Sequence, residues 1–174
     1  MKKKNLILVT GLLRSGTTWT GKIIASANGI KYLNEPFNPD RGREDFPPGL
    51  YFYYIDEKYS NAEQESVTKY INHMIYSPTF YFTDQIRLYK KYNILTLRNI
   101  EKLLRMKHMV GRPLMKDPMA ILSAEWIYST FKADVVIVLR NPIAFVASLK
   151  TAGWSIPFTD LSAQERMLNE HFKE

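Results

Sequence analysis

The sequence predicts an α/β fold in which a parallel sheet has helices on both faces. Two segments support this. A short apolar run at 5–10 ends in Gly11 and precedes a helical pattern, and a β-branched run at 134–139 precedes a second helix start. Apolar runs of this length, bounded by turn residues, are typical of buried parallel strands. Their alternation with helices predicts a parallel sheet.

The N-terminal segment predicts strand, loop, helix and strand in that order. The helix is predicted over 17–27 because four of its apolar residues recur at helical spacing: Trp19, Ile23, Ile24 and Ala27. Asn28 and Gly29 both tolerate a left-handed backbone and should end the helix. Residues 30–33 can then form a second strand.

The middle of the chain predicts loops and helices. From 38 to 59, prolines and a glycine interrupt an aromatic run, Tyr51-Phe52-Tyr53-Tyr54, which forms either a loop or lid that stacks on sugar rings or part of the core. Helices are predicted at 60–76, 99–108 and 120–131 from their apolar periodicity. After the strand at 134–139, Asn141 should cap the next helix and Pro142 should occupy its first position.

The amino-acid composition limits the classes of protein to which the chain can belong. The 174 residues are 45% hydrophobic and 24% charged, which is typical of one globular domain over 1–174. With no cysteine, the chain cannot form disulfides or thiolate zinc sites, and this fits a reducing compartment. The basic, apolar start resembles a signal peptide, but Arg14 ends the run far below the roughly 18 residues of a membrane span. We therefore expect a cytoplasmic protein without a transmembrane segment.

The net charge of +7 favours an anionic partner. The basic residues form no long run, and no helix-turn-helix, zinc-finger or RNA-binding signature accompanies them. The sequence therefore predicts a charged small-molecule ligand and no nucleic acid.

The segment 11–18, Gly-Leu-Leu-Arg-Ser-Gly-Thr-Thr, lies between the first strand and the first helix. At such a position backbone N–H groups and the helix dipole both favour an anion. The loop departs from the nucleotide-triphosphatase pattern because Thr17 stands where that pattern has lysine, and Arg14 supplies positive charge earlier. A purely structural turn is the alternative.

The strand at 134–139 ends in Arg140, where a magnesium-dependent P-loop enzyme would have an acidic residue. A guanidinium binds phosphate directly and cannot hold magnesium, so no metal is expected. Ser148 lies about two helical turns after Asn141, on the same helix face. From the spacing alone, a shared anion site of Arg140 and Ser148 and an ordinary surface arginine and helix serine stay equally open.

These residues match a known family. Arg14 to Trp19 resembles the 5′-phosphosulfate loop of sulfotransferases, which transfer sulfuryl groups from 3′-phosphoadenosine 5′-phosphosulfate (PAPS), and Val138 to Ser148 resembles their 3′-phosphate motif. The resemblance implies a P-loop nucleoside-triphosphatase-like sheet, with PAPS as sulfuryl donor. The donor-binding residues that it implies are Arg14, Ser15, Gly16, Thr17, Thr18, Trp19, Arg140 and Ser148.

Two further segments narrow the branch. Tyr32-Leu33-Asn34-Glu35-Pro36 is similar to a glutamate segment of carbohydrate and tyrosylprotein sulfotransferases, and Leu114-Met115-Lys116-Asp117-Pro118 is similar to their lysine segment. This resemblance implies Glu35 as general base, with Lys116 and Arg14 near the transferring group. Glu35 as a turn cap and Lys116 as a surface lysine are the alternatives. Three histidines lack any motif and are predicted to be surface or packing residues: His73, His108 and His171.

The resemblance covers residues 5–41 and 112–155. The insert at 42–111 matches no known pattern and is expected to contribute to the acceptor site, with a carbohydrate as the favoured acceptor. Family members continue into a further strand and a basic loop, so the domain is expected to be incomplete at its C-terminal end, where a capping box at Ser162–Glu165 predicts a last helix. The alternative functions are a non-catalytic or truncated nucleotide-binding module and a P-loop kinase.

Overall fold

A computed structural model describes residues 5–41, 49–77, 80–94, 96–99, 101 and 111–172. Most of the helix predicted at 99–108, including His108, lies outside these residues, as does part of the insert at 42–111. No helix in the described part of the chain is long and apolar enough to cross a membrane.

Four strands form one sheet in the order β2-β3-β1-β4, and all neighbouring pairs are parallel. Their bounds are β1 Ile7–Gly11, β2 Ile30–Asn34, β3 Arg112–Lys116 and β4 Asp134–Val138. The predicted parallel α/β sheet is therefore confirmed. Strand β3 was not predicted, although it lies between β2 and β1, because its five residues include Pro113, which has no N–H for the ladder.

Seven helices have their full bounds within the described residues. They are α1 Thr17–Ala25, α2 Asn61–Tyr76, α3 Phe80–Lys91, α4 Ala124–Phe131, α5 Pro142–Ala152, α6 Phe158–Ser162 and α7 Glu165–His171. Two 3₁₀ segments span Pro39–Arg41 and Pro118–Ser123. The helix predicted at 120–131 thus begins as a 3₁₀ turn.

Side chains of the central strands β1 and β3 are buried on both faces of the sheet, whereas those of β4 are half-buried or exposed. Ile7 and Val9 of β1 lie with Leu114 of β3 in a cluster against α1. Leu6 and Leu8 lie in the other cluster, with the apolar sides of α2 and α4. Because side chains alternate along a strand, this pattern places helices on both faces of the sheet.

Cap residues fix several helix starts. The Asn141 side chain accepts hydrogen bonds from the N–H groups of Ile143 and Ala144 at the start of α5, as predicted. The predicted capping box at 162–165 is wrong. Ser162 belongs to α6, where its hydroxyl donates to the Thr159 carbonyl, and Gln164 precedes α7 without a side-chain cap.

The aromatic run belongs to the core. Phe52, Tyr53 and Tyr54 are each less than a tenth exposed, whereas Tyr51 is half-buried. Phe52 and Tyr53 lie in one cluster with residues of α2 and α4, and the Tyr54 ring packs edge-on against His171. Of the two alternatives, core packing is therefore correct for these three side chains.

The parallel register brings the carboxyl ends of the strands to one edge. Val9 of β1 lies opposite Lys116 of β3 and Val136 of β4, and Lys116 lies opposite Asn34 of β2. The loop after β1 therefore lies between the residues that follow β3 and those that follow β4. At this edge of a parallel sheet ligands commonly bind.

Candidate functional site

The loop between β1 and α1 has a backbone that glycine allows. Gly11 and Gly16 have φ values of 148° and 105°, and a Cβ on Gly11 would lie 2.3 Å from the Val138 carbonyl oxygen. Arg14, at the tip, is held at φ 62°. The loop therefore turns tightly against the end of β4, and a larger residue at position 11 would push the two apart.

The start of α1 is open to an anion. Gly16 is its N-cap, and among the described residues no side chain caps it and no acidic residue lies in its first turn. The first N–H groups of a helix have no partner within the helix and favour negative charge. In addition, the hydroxyl oxygens of Ser15 and Thr10 are buried without a hydrogen-bond partner in the described structure. Such buried polar atoms are usually satisfied, so the loop contains two hydroxyl groups whose hydrogen bonds the described residues do not supply.

Two distant basic residues meet at the loop. Arg140 donates from Nη1 to the Arg14 carbonyl oxygen at 2.7 Å, and Arg14 donates from Nε to Ser148 Oγ at 3.1 Å. The fold thus brings Arg14, Arg140 and Ser148 into one group, which we call the arginine cluster. Arg140 and Ser148 both contact Arg14, and so both lie beside the same loop.

Trp154 belongs to this cluster although the sequence did not suggest it. It follows Gly153, which ends α5 at φ 64°, and its ring lies 5.3 Å from the Arg14 guanidinium carbon. This contact restrains Arg14 from a second side. Trp19 in α1 is 71% exposed and Thr18 is also exposed, whereas Thr17 is buried. A tryptophan after a helix-ending glycine carries no signal by which the sequence could have identified it.

A second group lies at the ends of β2 and β3. The Lys116 ammonium forms an ion pair and hydrogen bond with Glu35 Oε1, and Asn38 donates from Nδ2 to Glu35 Oε2 at 2.9 Å. The Lys116 side chain is 1% exposed, while that of Glu35 is 21% exposed. The alternative of a surface lysine is therefore excluded. Glu35 presents a partly accessible carboxylate whose two oxygens are both held.

The backbone of Glu35 differs from the conformation that is usual before proline. A residue that precedes proline is usually extended. Instead φ of Glu35 is 49°, in the left-handed region. Tertiary hydrogen bonds account for this, because Glu35 N–H donates to the Lys116 carbonyl at 2.7 Å and the next residues form a turn closed by Asn38 N–H to the Glu35 carbonyl. Glu35 therefore begins a turn directly after β2.

Asp117 lies directly beneath this turn. Its carboxylate accepts the N–H of Phe37 at 2.6 Å and that of Met119 at 2.9 Å, so it joins the turn after β2 to the 3₁₀ segment after β3. Complete burial raises the pKa of Asp117 to about 7, and the charge of Glu35 acts in the same direction. The two N–H donors and Lys116 oppose that shift.

Gly21 explains how a lysine fits beneath α1. A Cβ at this position would lie 2.9 Å from Lys116 Cγ and 3.2 Å from the Tyr32 ring. We expect Gly21→Ala to destabilise the fold by about 1 to 2 kcal/mol, since overpacking outweighs the better helix propensity of alanine. Urea unfolding measures this change. Lys22→Ala, at an exposed position of α1, is the control, and equal stability of the two variants would show that no close approach exists.

His73 and His171 lie outside these two groups. The His73 ring packs edge-on against Phe80, and His171 Nε2 lies 2.9 Å from the Tyr54 hydroxyl. Both make packing or surface contacts, as expected.

No family model, curated protein or solved structure matches this chain. Within the described residues, no group of three or more His, Asp or Glu side chains is placed to hold a metal ion.

Proposed function

We propose that the protein transfers a sulfuryl group from PAPS to an acceptor hydroxyl, on a P-loop nucleoside-triphosphatase-like fold. The observation that carries this proposal is the arginine cluster. Arg140 and Ser148 lie 126 and 134 positions from Arg14 in the chain, yet both contact it. Positive charge therefore surrounds an anion-binding loop, as a donor with a 5′-phosphosulfate and a 3′-phosphate requires.

The residues present fit such a donor. The loop from Arg14 to Thr18, with its open helix start, would hold the 5′-phosphosulfate, and the unpartnered Ser15 hydroxyl supplies a further polar contact. Arg140 and Ser148 would hold the 3′-phosphate, since both side chains are at the surface beside the loop. Trp19 offers an exposed ring close to the loop for contact with the adenosine.

The bound donor supplies an activated sulfur with a good leaving group. The acceptor oxygen forms a bond to sulfur, the bond between sulfur and the bridging phosphate oxygen breaks, and adenosine 3′,5′-bisphosphate leaves with that electron pair. Glu35 takes the proton of the acceptor hydroxyl. Arg14 and Lys116 stabilise the negative charge that develops on the leaving phosphate.

The Glu35–Lys116 ion pair suits this chemistry. Lys116 and Asn38 each hold one oxygen of the carboxylate in a fixed direction, which suits Glu35 to the role of base. Once Glu35 is protonated its charge is gone, and the ammonium of Lys116 has no anion left to pair with. Lys116 then stabilises the leaving phosphate more strongly, at the moment when charge appears there.

The acceptor is proposed to be a carbohydrate, on the resemblance of the Glu35 segment alone. The insert at 42–111 is proposed to contribute to the acceptor site, although its aromatic residues at 52–54 belong to the core. The cytoplasmic location stays a prediction.

Transfer of ³⁵S from labelled PAPS to panels of carbohydrate, lipid and peptide acceptors tests the proposal. We expect transfer to one class, and we expect it to persist in EDTA, because Arg14 and Lys116 take the role that magnesium has in phosphoryl transfer. A strict magnesium requirement, restored by adding the ion, would instead support a kinase. Binding of adenosine 3′,5′-bisphosphate without transfer to any acceptor would indicate a non-catalytic binding module.

A further inference from the structure

Asp117 is the buried ionisable group that the proposed chemistry leaves without a role. Its side chain is completely buried, and it lies one residue beyond Lys116. Burying a carboxylate is costly unless it is well hydrogen-bonded. In this structure both oxygens accept backbone N–H groups, from Phe37 and from Met119. The fold therefore buries a carboxylate that satisfies two backbone N–H groups at once, which neither asparagine nor an apolar residue of similar size can do.

The first of these bonds bears on Glu35. Phe37 is fully buried and lies two residues after Glu35, within the turn whose first residue has φ 49°. A non-glycine residue in the left-handed region is strained and persists only where its surroundings hold it. The bond from Phe37 N–H to Asp117 and that from Glu35 N–H to the Lys116 carbonyl fix this turn on both sides of Pro36.

We propose that Asp117 is a positioning residue, whose carboxylate holds the turn after β2 so that Glu35 faces the acceptor hydroxyl. This role rests on the proposed sulfuryl transfer. Asp117 also connects three strand ends, because its N–H donates to the Val9 carbonyl of β1 at 2.9 Å. Asp117 therefore fixes the position of the Glu35 turn relative to the anion-binding loop that follows β1.

The charged groups around Asp117 make the arrangement dependent on pH. Glu35 faces it from the turn, Lys116 from β3, and Tyr70 of α2 bonds the same turn through the Pro36 carbonyl at 2.9 Å. The 3₁₀ segment contributes the Met119 N–H. When Asp117 is protonated, one of its two oxygens becomes a hydroxyl. That hydroxyl faces a backbone N–H donor, and the hydrogen bond between them is lost. Because its pKa is raised to about 7, the turn should loosen as pH falls through that value.

Asp117→Asn tests the role, with Tyr70→Phe as the matched control. Asparagine keeps the size but turns one acceptor into a donor, whereas Tyr70→Phe removes a bond to the same turn without changing charge. We expect Asp117→Asn to lower kcat by about 10²-fold, in line with the cost of a small misplacement of a catalytic group. Its Kd for adenosine 3′,5′-bisphosphate should stay unchanged. For the wild-type chain and for Tyr70→Phe we expect kcat to fall as the pH drops below 7. For Asp117→Asn we expect no such fall.

Amide hydrogen exchange supplies a readout that does not need activity. In Asp117→Asn the Phe37 and Met119 amides should exchange faster, while those of β1 stay protected. A folded Asp117→Asn variant with wild-type kcat, pH profile and Phe37 protection would overturn the proposal and leave the proposed function intact. A wild-type chain without sulfuryl transfer would overturn the proposed function, and Phe37 exchange would then still decide whether Asp117 holds the turn.

Discussion

Glu35→Gln is expected to lower turnover by about 10²- to 10⁴-fold, the usual contribution of general-base catalysis. Glutamine keeps the size of the side chain and can still accept a hydrogen bond from Asn38, but it cannot take the acceptor proton. Affinity for adenosine 3′,5′-bisphosphate should not fall, because the loop and the arginine cluster that would hold it do not include Glu35. Steady-state kinetics and calorimetric titration measure the two effects.

The ion pair alters the stability expected of this variant. If Glu35 were an unpaired surface carboxylate, Glu35→Gln would leave the melting temperature unchanged. In the structure it leaves the buried Lys116 ammonium without its carboxylate, which should cost about 1 to 3 kcal/mol. Turnover is therefore measured at a temperature where circular dichroism shows the variant folded.

Glu65→Gln provides the matched control, since Glu65 is exposed on α2. It should retain turnover and stability. Normal turnover in folded Glu35→Gln would assign the proton transfer to another residue and leave Glu35 as the first residue of a turn.

Arg140→Ala is expected to remove most of the preference for adenosine 3′,5′-bisphosphate over AMP. A charge-assisted hydrogen bond to phosphate contributes about 1.5 to 3 kcal/mol. The loss should therefore be about 10- to 150-fold in Kd for the bisphosphate and small for AMP. Calorimetric titration with each nucleotide measures the ratio.

Lys150→Ala is the control for Arg140→Ala, because it distinguishes the loss of a local contact from the loss of one positive charge. Lys150 is exposed in the last turn of α5, so its removal lowers the charge of the protein equally. We expect the nucleotide preference to survive in this control. If both variants weakened binding alike, or if wild-type protein bound the bisphosphate and AMP equally, Arg140 would not hold a 3′-phosphate.

Those parts of the fold with local signals were predictable. Gly11, Gly29 and the Asn141-Pro142 pair mark the end of β1, the turn before β2 and the start of α5, since each has a backbone requirement that few residues meet. The predicted end of α1 at Asn28-Gly29 is wrong, because the helix ends at Ala25. Strand β3 had no such signal, and Pro113 argued against it. It forms because its neighbours β2 and β1 supply the ladder and its residues from Pro113 onward are buried.

The sequence indicated which residues lie at the site, but it did not indicate which of them contact each other. The order of motifs indicated that Arg14 and Arg140 serve one ligand, and the fold brings them together. The partnership of Lys116 with Glu35 joins residues 81 positions apart. It depends on β2 lying beside β3, which the sequence does not state. The interior glycine at 21 was the available clue, because a glycine within a helix often marks a close approach.

The buried ion pair has a consequence for how the two positions can change. Charges taken out of water cost about as much as their attraction returns, so well-packed apolar residues at 35 and 116 would serve the fold equally well. Removing one charge alone leaves the other without its partner. The effect of a substitution at either position therefore depends on the residue at the other. Exchange of both for apolar residues is expected to leave a folded protein that lacks the proposed base. The proposed function thus gives the pair a role that the stability of the fold does not require.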